Sequence, residues 1–371
     1  MAKSFEELIP AFIREIDPYK PGKPIEEVER ELKIHAVKLA SNENPLGPSP
    51  LGVAAAQKAL AESHRYPDGG GYYLREKLAH RLGVPMDNLL LGFGSSDLID
   101  LCARLLLSEN VQGMTAEGSF PLFSIAMRAT GARLMRVPLK DYTFDLPAMA
   151  RAVTPRTRLI ILANPNNPTG TMFTAAAFEK FLDALPGHVV VVLDEAYFDY
   201  VQRDDYSRSI DLVKEGRKLV VLRTFSKVYG LAGIRMGYGI GPAALLTEIN
   251  KFRLPFNTSG VAQAAALAAL DDAEHVRRSI ESNRAGMKQL ETGLAALGVK
   301  YVPSFANFML IELGGGALRI SDELLKLGVI VRPMAWMGFP NAIRVTVGTP
   351  EENEKFLAGL AQVRSAIPVK P

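Results

Sequence analysis

Residues Leu159-Ile160-Ile161-Leu162-Ala163-Asn164-Pro165-Asn166-Asn167-Pro168-Thr169-Gly170 change character at their midpoint. The first five side chains form an uninterrupted apolar run, the pattern of a strand buried on both faces of a parallel sheet. The remaining seven residues cannot continue a ladder, because proline lacks the backbone donor and asparagine, threonine and glycine favour turns. The chain therefore turns at the strand's carboxyl end. Open α/β sheets bind their ligands at that edge, so Asn167 is directed toward a site. Two more runs repeat the pattern. Val189-Val190-Val191-Val192-Leu193 ends in Asp194 and, three residues on, Tyr197, while Leu219-Val220-Val221-Leu222-Arg223 leads into Thr224-Phe225-Ser226-Lys227-Val228-Tyr229-Gly230. Three strands of parallel type thus deliver Asn167, Asp194 with Tyr197, and Lys227 to one edge.

A free lysine amine, with a pKa of about 10.4, is protonated at neutral pH, so nucleophilic use requires desolvation or cationic neighbours. Hydroxyls crowd Lys227, and Ser226 together with Arg235 can supply phosphate contacts and positive charge. Pyridoxal phosphate asks for such a set: an amine that condenses with its aldehyde, a carboxylate that keeps its ring nitrogen protonated, and donors to its ring oxygen. Asp194 suits the pyridinium because opposite charges favour the ionised pair. Tyr197 and Asn167 suit the ring oxygen. Taken singly, Asp194 and Asn167 fit helix capping and Lys227 fits a solvated surface group. The ordered set is what points to the cofactor.

Upstream, Gly94-Ser95-Ser96-Asp97-Leu98 opens a helix with hydroxyl and carboxylate residues at its amino end, a place that fits either capping or phosphate binding. Downstream, Arg344 interrupts the apolar alternation of Ala342-Ile343-Arg344-Val345-Thr346-Val347. A guanidinium there needs a partner, either a bound carboxylate or phosphate or an internal salt bridge. Arg332, in Val329-Ile330-Val331-Arg332-Pro333, is similarly placed.

The chain resembles the fold-type I pyridoxal-phosphate aminotransferases along nearly its whole length. The resemblance rests on Asn164-Pro165-Asn166-Asn167-Pro168-Thr169-Gly170, Asp194-Glu195-Ala196-Tyr197, Thr224-Phe225-Ser226-Lys227 and Gly233-Ile234-Arg235-Met236-Gly237-Tyr238. Within that group it is most similar to the histidinol-phosphate aminotransferases, through Asp17-Pro18-Tyr19-Lys20-Pro21-Gly22-Lys23-Pro24, Leu39-Ala40-Ser41-Asn42-Glu43-Asn44-Pro45-Leu46-Gly47 and Arg65-Tyr66-Pro67-Asp68-Gly69. Aromatic aminotransferases and a phosphothreonine decarboxylase share parts of these runs.

The resemblance implies an α/β fold with a mostly parallel seven-stranded sheet between helices and a smaller α/β domain. Residues 1–35 would form an arm and a small-domain segment, 36–260 the cofactor-binding domain and 261–371 the small domain. It further implies that Ser95 and Ser96 hold the cofactor phosphate and that Phe120 stacks on the pyridine, without the hydroxyl of the tyrosine that relatives often carry there. Lys227, Asp194 and Tyr197 would be catalytic. Arg344 and Arg332 would meet substrate phosphate or carboxylate, with Tyr19 and Tyr66 near the phosphate end. Tyr66 would come from the neighbouring subunit of a homodimer. The implied reaction is transamination between L-histidinol phosphate and 2-oxoglutarate in histidine biosynthesis. The alternatives are an aromatic amino-acid aminotransferase, a phosphothreonine decarboxylase and a non-catalytic cofactor-binding regulator.

Composition is consistent with such an enzyme. The 371 residues suit two or three units, and 48% hydrophobic with 22% charged residues is ordinary for a globular protein. A net charge of +3 without a basic block argues against nucleic acid. No stretch approaches the roughly 18 apolar residues of a membrane span, and the opening Met1-Ala2-Lys3-Ser4-Phe5-Glu6-Glu7 lacks an apolar signal core, so the expected place is the cytoplasm. The single cysteine, Cys102, fits core packing, and the five histidines lack ligand spacing, so no metal site is expected. Coarser expectations are an apolar-periodic stretch from Phe5 to Ile16, a strand over Arg235 to Gly241, one long helical region from about Ser259 through Leu297, and small-domain strands at Phe308 to Leu313, Val329 to Arg332 and Ile343 to Val347.

Overall fold

The computed structural model describes residues 5–20 and 22–366. The first residues of the expected arm, Met1 to Ser4, and Pro21 within its Pro/Gly segment lie outside the described residues. In chain order the strands are β1 (Val37–Lys38), β2 (Leu89–Gly92), β3 (Gln112–Ala116), β4 (Arg133–Val137), β5 (Thr157–Ala163), β6 (Val190–Asp194), β7 (Leu219–Thr224), β8 (Gly237–Ile240), β9 (Lys300–Val302), β10 (Phe308–Glu312), β11 (Val329–Ile330), β12 (Arg332–Pro333) and β13 (Ala342–Thr346).

Seven of them form one sheet in the order β2-β8-β7-β6-β5-β3-β4. Only β8 runs against its neighbours, pairing antiparallel with both β2 and β7. The apolar runs of β5, β6 and β7 form its centre because both faces are covered: Leu159, Ile160, Ile161 and Leu162 have no exposed surface. Each such side chain contributes about 1.5–3 kcal/mol through burial. Register carries this packing to the site. Ala163 lies opposite Asp194, and Asp194 opposite Leu222, so the three carboxyl ends finish almost level.

A second sheet, β12-β13-β10-β9, is antiparallel and packs on Ala317–Lys326, Pro350–Ala366 and the far end of Ala273–Ala296. Its core includes Leu290, Met309, Ile311, Val345 and Phe356. Val37 and Leu39 belong to this core, while Ala262, Ala265 and Ala269 belong to that of the large sheet. Core membership thus favours joints near residues 40 and 270 as a refinement of the proposed division at 36 and 260.

Local departures from the expected elements have identifiable causes. The helical region from Ser259 through Leu297 is two helices, Gly260–Ala269 and Ala273–Ala296, because Asp272 caps the second by accepting from His275 N at 3.3 Å. Val329 to Arg332 is two short strands serving two sheets, β11 beside β1 and β12 beside β13. The strand expected from Arg235 begins at Gly237, since Arg235 has φ 59° and turns the chain out of a 3-10 turn. Phe5 to Ile16 yields two single-turn helices, Phe5–Leu8 and Ala11–Arg14. β9 had no apolar run to announce it. Among the described residues no helix is long and apolar enough to cross a membrane.

Candidate active site

The ends of β5, β6 and β7 line a cleft between the two cores, closed on one side by the amino end of helix Gly94–Leu106 and on the other by β12 and β13. Asn167, Asp194, Tyr197, Ser226, Lys227, Arg235, Ser95, Ser96, Phe120, Tyr19, Arg332 and Arg344 all border it. Tyr66 does not. The residue is 83% exposed, and its ring stacks on Phe256 with centroids 4.8 Å apart.

One end of the cleft is built for an anion. The helix Gly94–Leu106 receives no side-chain cap from its N-cap residue, Phe93, whose own N–H donates to Asp97 Oδ2 at 3.0 Å, and Ser95 and Ser96 lie within its first turn. Its first N–H groups lack intrahelical acceptors and lie at the positive end of the helix dipole. Beside them Arg235 is fixed by donating from Nη1 to Ala232 O at 2.9 Å, and Thr224 Oγ1 lies 3.0 Å from Ser226 Oγ. Two glycines make the approach possible. A Cβ on Gly237 would stand 2.5 Å from Ser95 N, and one on Gly94 would stand 2.6 Å from Arg235 Nη2.

At the centre, Asp194 is buried and accepts from Ala196 N at 3.1 Å. Burial pushes its carboxyl up to about 7, against the opposing pull of that N–H and of Lys227. Lys227 donates to Asn42 O at 3.2 Å, and burial, reinforced by the charge of Arg344, brings its ammonium down to about 8. An amine so placed is neutral in a useful fraction of molecules near physiological pH. The rate at which the cofactor-free chain takes up pyridoxal phosphate should therefore rise with pH through about 8, rather than through the roughly 10.4 of a free lysine. Stopped-flow absorbance across pH 6.5 to 9.5 checks this, buffered at constant ionic strength.

Tyr197 and Asn167 are each oriented by a neighbour. Asn42 Nδ2 donates to Tyr197 Oη at 2.9 Å, leaving the phenol's own hydrogen to donate into the cleft, and burial pushes its pKa up to about 12. Arg344 Nη1 donates to Asn167 Oδ1 at 2.6 Å, which leaves the Asn167 amide N–H groups available. Asn42 lies within one of the motifs that carry the resemblance, but the sequence assigned it no role. The available signal was an asparagine, tolerant of left-handed backbone, where an apolar strand gives way to a proline turn; its φ is 55°.

Arg344 is 7% exposed, and its Nη2 donates to Ala40 O at 2.6 Å. Its Nε is buried without a partner. The internal salt bridge that the sequence left open is absent: among the described residues no carboxylate lies within 4.0 Å of Arg344, Arg332, Arg235 or Lys227. Arg332 instead donates from Nη2 to Lys20 O. Four basic groups thus face a cleft whose central acid is Asp194.

A large, mostly parallel sheet with a part-buried lysine, a strand-end aspartate and a phosphate-ready helix terminus defines a class of cofactor-dependent enzyme. Residues 34–360 match the aminotransferase class I and II family, and the chain belongs to it. It is 46% identical over 366 residues to histidinol-phosphate aminotransferase 2 of Pseudomonas fluorescens, covering 98% of this chain and 99% of that protein. It is 47% identical over 365 residues to histidinol-phosphate aminotransferase 1 of Nitrosococcus oceani, covering 98% and 99%. Its fold superposes with a TM-score of 0.88, at 29% identity, on a crystal structure of histidinol-phosphate aminotransferase from Sinorhizobium meliloti in complex with pyridoxal-5'-phosphate, covering 97% of this chain and 98% of that one.

Proposed function

We propose that the chain transfers an amino group between L-histidinol phosphate and 2-oxoglutarate, with pyridoxal phosphate as cofactor. The observation that carries this reading is the excess of positive charge in the cleft: Lys227, Arg235, Arg332 and Arg344 border it against the two carboxylates Asp194 and Glu43, and among the described residues none of the four has a carboxylate within 4.0 Å. Guanidinium groups so placed call for anions, one beside Arg235 at the helix terminus and one beside Arg332 and Arg344. A cofactor phosphate suits the Gly94–Ser96 end, and a substrate phosphate suits the arginine pair.

The residues present fit the cofactor. Gly237 and Gly94 leave a cradle at the helix terminus that a Cβ would fill, and the buried Asp194 and the part-buried Lys227 line the same cleft. Gly94, Ser95, Ser96, Ser226 and Arg235 would hold the phosphate; Phe120 would lie against the ring; Asn167 and Tyr197 would donate to the ring oxygen. Bound pyridoxal phosphate supplies the electron sink for transamination. The chain's part is to hold charge and move protons. Asp194 would supply the negative charge that keeps the ring nitrogen protonated, and Lys227 would be the amine that holds the cofactor. The amine of Lys227, when not bonded to the cofactor, would take the proton from the substrate's α-carbon as general base and deliver it to the cofactor's aldehyde-derived carbon as general acid. Arg344 steadies Asn167 while holding the substrate anion, so binding and orientation share one guanidinium.

A homodimer completes the proposal. Tyr66 stands outside this chain's own cleft, with exposed Leu254 and the half-exposed Phe256 on the same segment of surface, and in a pair of copies it would reach the other cleft. The test of function is to add histidinol phosphate, phenylalanine or glutamate separately to the purified holoenzyme and follow cofactor absorbance. Histidinol phosphate and glutamate should each convert the cofactor to its amine form without releasing carbon dioxide. A response to phenylalanine but not to histidinol phosphate would move the enzyme to the aromatic aminotransferases. Carbon dioxide release from phosphothreonine would make it a decarboxylase.

A further inference from the structure

Trp336 is the chain's single tryptophan, set in the 3-10 turn Ala335–Met337 between β12 and β13. It does not border the cleft, but two residues that do are seated on it. The guanidinium carbon of Arg332 lies 4.9 Å from the centre of its ring system. Tyr19 meets it edge-on at 5.6 Å and 82°, and on its other side meets Phe120 at 6.3 Å and 70°. Tyr19 thus bridges the mouth of the cleft between the two units.

The other side of Arg332 is covered by the arm. Its Nη2 donates to Lys20 O, and a Cβ on Gly22 would stand 3.5 Å from its Nη1. The guanidinium is therefore held between an indole face and a stretch of backbone, with no carboxylate within 4.0 Å among the described residues. This matters chemically. A carboxylate would fix the guanidinium by consuming its N–H fork and cancelling its charge, whereas an aromatic face fixes the plane and leaves the charge and the N–H groups not donating to Lys20 O available. Simple packing explains the contact of Trp336 with Met334, Met337 and the rest of its apolar cluster. It does not explain why the one indole in the chain lies under a cleft arginine that donates to a backbone carbonyl rather than to a carboxylate.

We propose that Trp336 is a positioning residue that determines specificity, holding Arg332 and Tyr19 as a receptor for a phosphate monoester at the outer end of the cleft. The proposal deepens the reading of the cleft as an aminotransferase site and rests on it for the natural substrate. It predicts that discrimination in favour of a phosphate-bearing amine depends on the aromatic face at position 336.

The experiment uses holoenzyme, so that the cofactor's own phosphate site is filled, and phenyl phosphate, which carries a ring and a phosphate monoester but no amine to transfer. Calorimetric Kd values are compared for wild type, Trp336→Phe, Trp336→Leu and Arg332→Gln, alongside kcat and KM with histidinol phosphate. Trp336→Leu, which keeps an apolar side chain but loses the π face, should weaken phenyl phosphate binding by about tenfold, and Trp336→Phe should stay within about threefold of wild type. Arg332→Gln should lose at least as much as Trp336→Leu. In Trp336→Leu, KM for histidinol phosphate should rise in step with Kd while kcat and cofactor absorbance change little. Wild-type binding by Trp336→Leu overturns the proposal, as does a Trp336→Phe variant as impaired as Trp336→Leu, which would indicate packing alone. Failure of wild type to bind phenyl phosphate overturns it too, with turnover of histidinol phosphate judging the functional reading separately. If wild type binds phenyl phosphate with this dependence but does not transfer an amine from histidinol phosphate, the functional reading falls and the role of Trp336 stands.

Discussion

Lys227→Ala should abolish turnover, lowering kcat by at least about 10⁴-fold, because the substitution removes both the covalent anchor and the acid–base group that serves the α-carbon. The fold should survive it. The amine's hydrogen bond is to Asn42 O, and Asn307 Nδ2 donates to the same oxygen at 3.1 Å, so no buried acceptor is orphaned. Truncation also relieves the desolvation that depresses the amine, so stability of the cofactor-free chain should change by no more than about 1 kcal/mol. Two measurements check this: steady-state transamination, and thermal unfolding of the cofactor-free proteins. Borohydride reduction followed by peptide mapping should place the cofactor on Lys227 in wild type and nowhere in the variant. Wild-type-like turnover by Lys227→Ala, or a reduced adduct on another lysine, would remove the basis of the proposed chemistry.

Asp194→Asn should produce the second large loss, separating charge from shape. An asparagine can keep the acceptor for Ala196 N, 3.1 Å away in the parent, while removing the carboxylate. The lost term is the attraction between a buried carboxylate and a ring cation, about 4 kcal/mol at 4 Å for an effective dielectric near 20. Cofactor affinity should therefore weaken on the order of 10²- to 10³-fold. Activity should remain low even at saturating cofactor, since the ring nitrogen is no longer held protonated. Equilibrium titration of the cofactor-free chain, with kcat measured at saturation, distinguishes the two effects. An unchanged Kd would strip Asp194 of its assigned role.

Much of this site was legible in the sequence because it sits where the strand pattern changes. The runs ending at Ala163, Leu193 and Leu222 are apolar enough to be central strands, and the polar residues just beyond them have to emerge at one edge. Arg344 was legible for a different reason, as a charge inside an apolar alternation. The parts that were not legible depend on long-range partners or on very short elements. Asn42 acquires its role only by meeting Tyr197, Lys227 and Thr346, none near it in sequence. β9 is three residues long with an exposed lysine, so neither length nor burial marks it. The double use of Val329 to Pro333 by two sheets depends on β1, nearly 300 residues upstream, being brought alongside. Likewise, no local pattern could have told that one nitrogen of Arg332 would be engaged by the arm while the guanidinium still borders the cleft.

Asn42 also has a mechanical consequence. Its backbone N–H and side chain engage Thr346, and its carbonyl accepts from Asn307, both on the side of the small sheet; its amide and the same carbonyl engage Tyr197 and Lys227 on the side of the large one. The residue is a rivet through the seam. Any rocking of one lobe against the other must stretch or bend the contacts of the phenol and the amine, so lobe position and chemical readiness are geared together at a single asparagine.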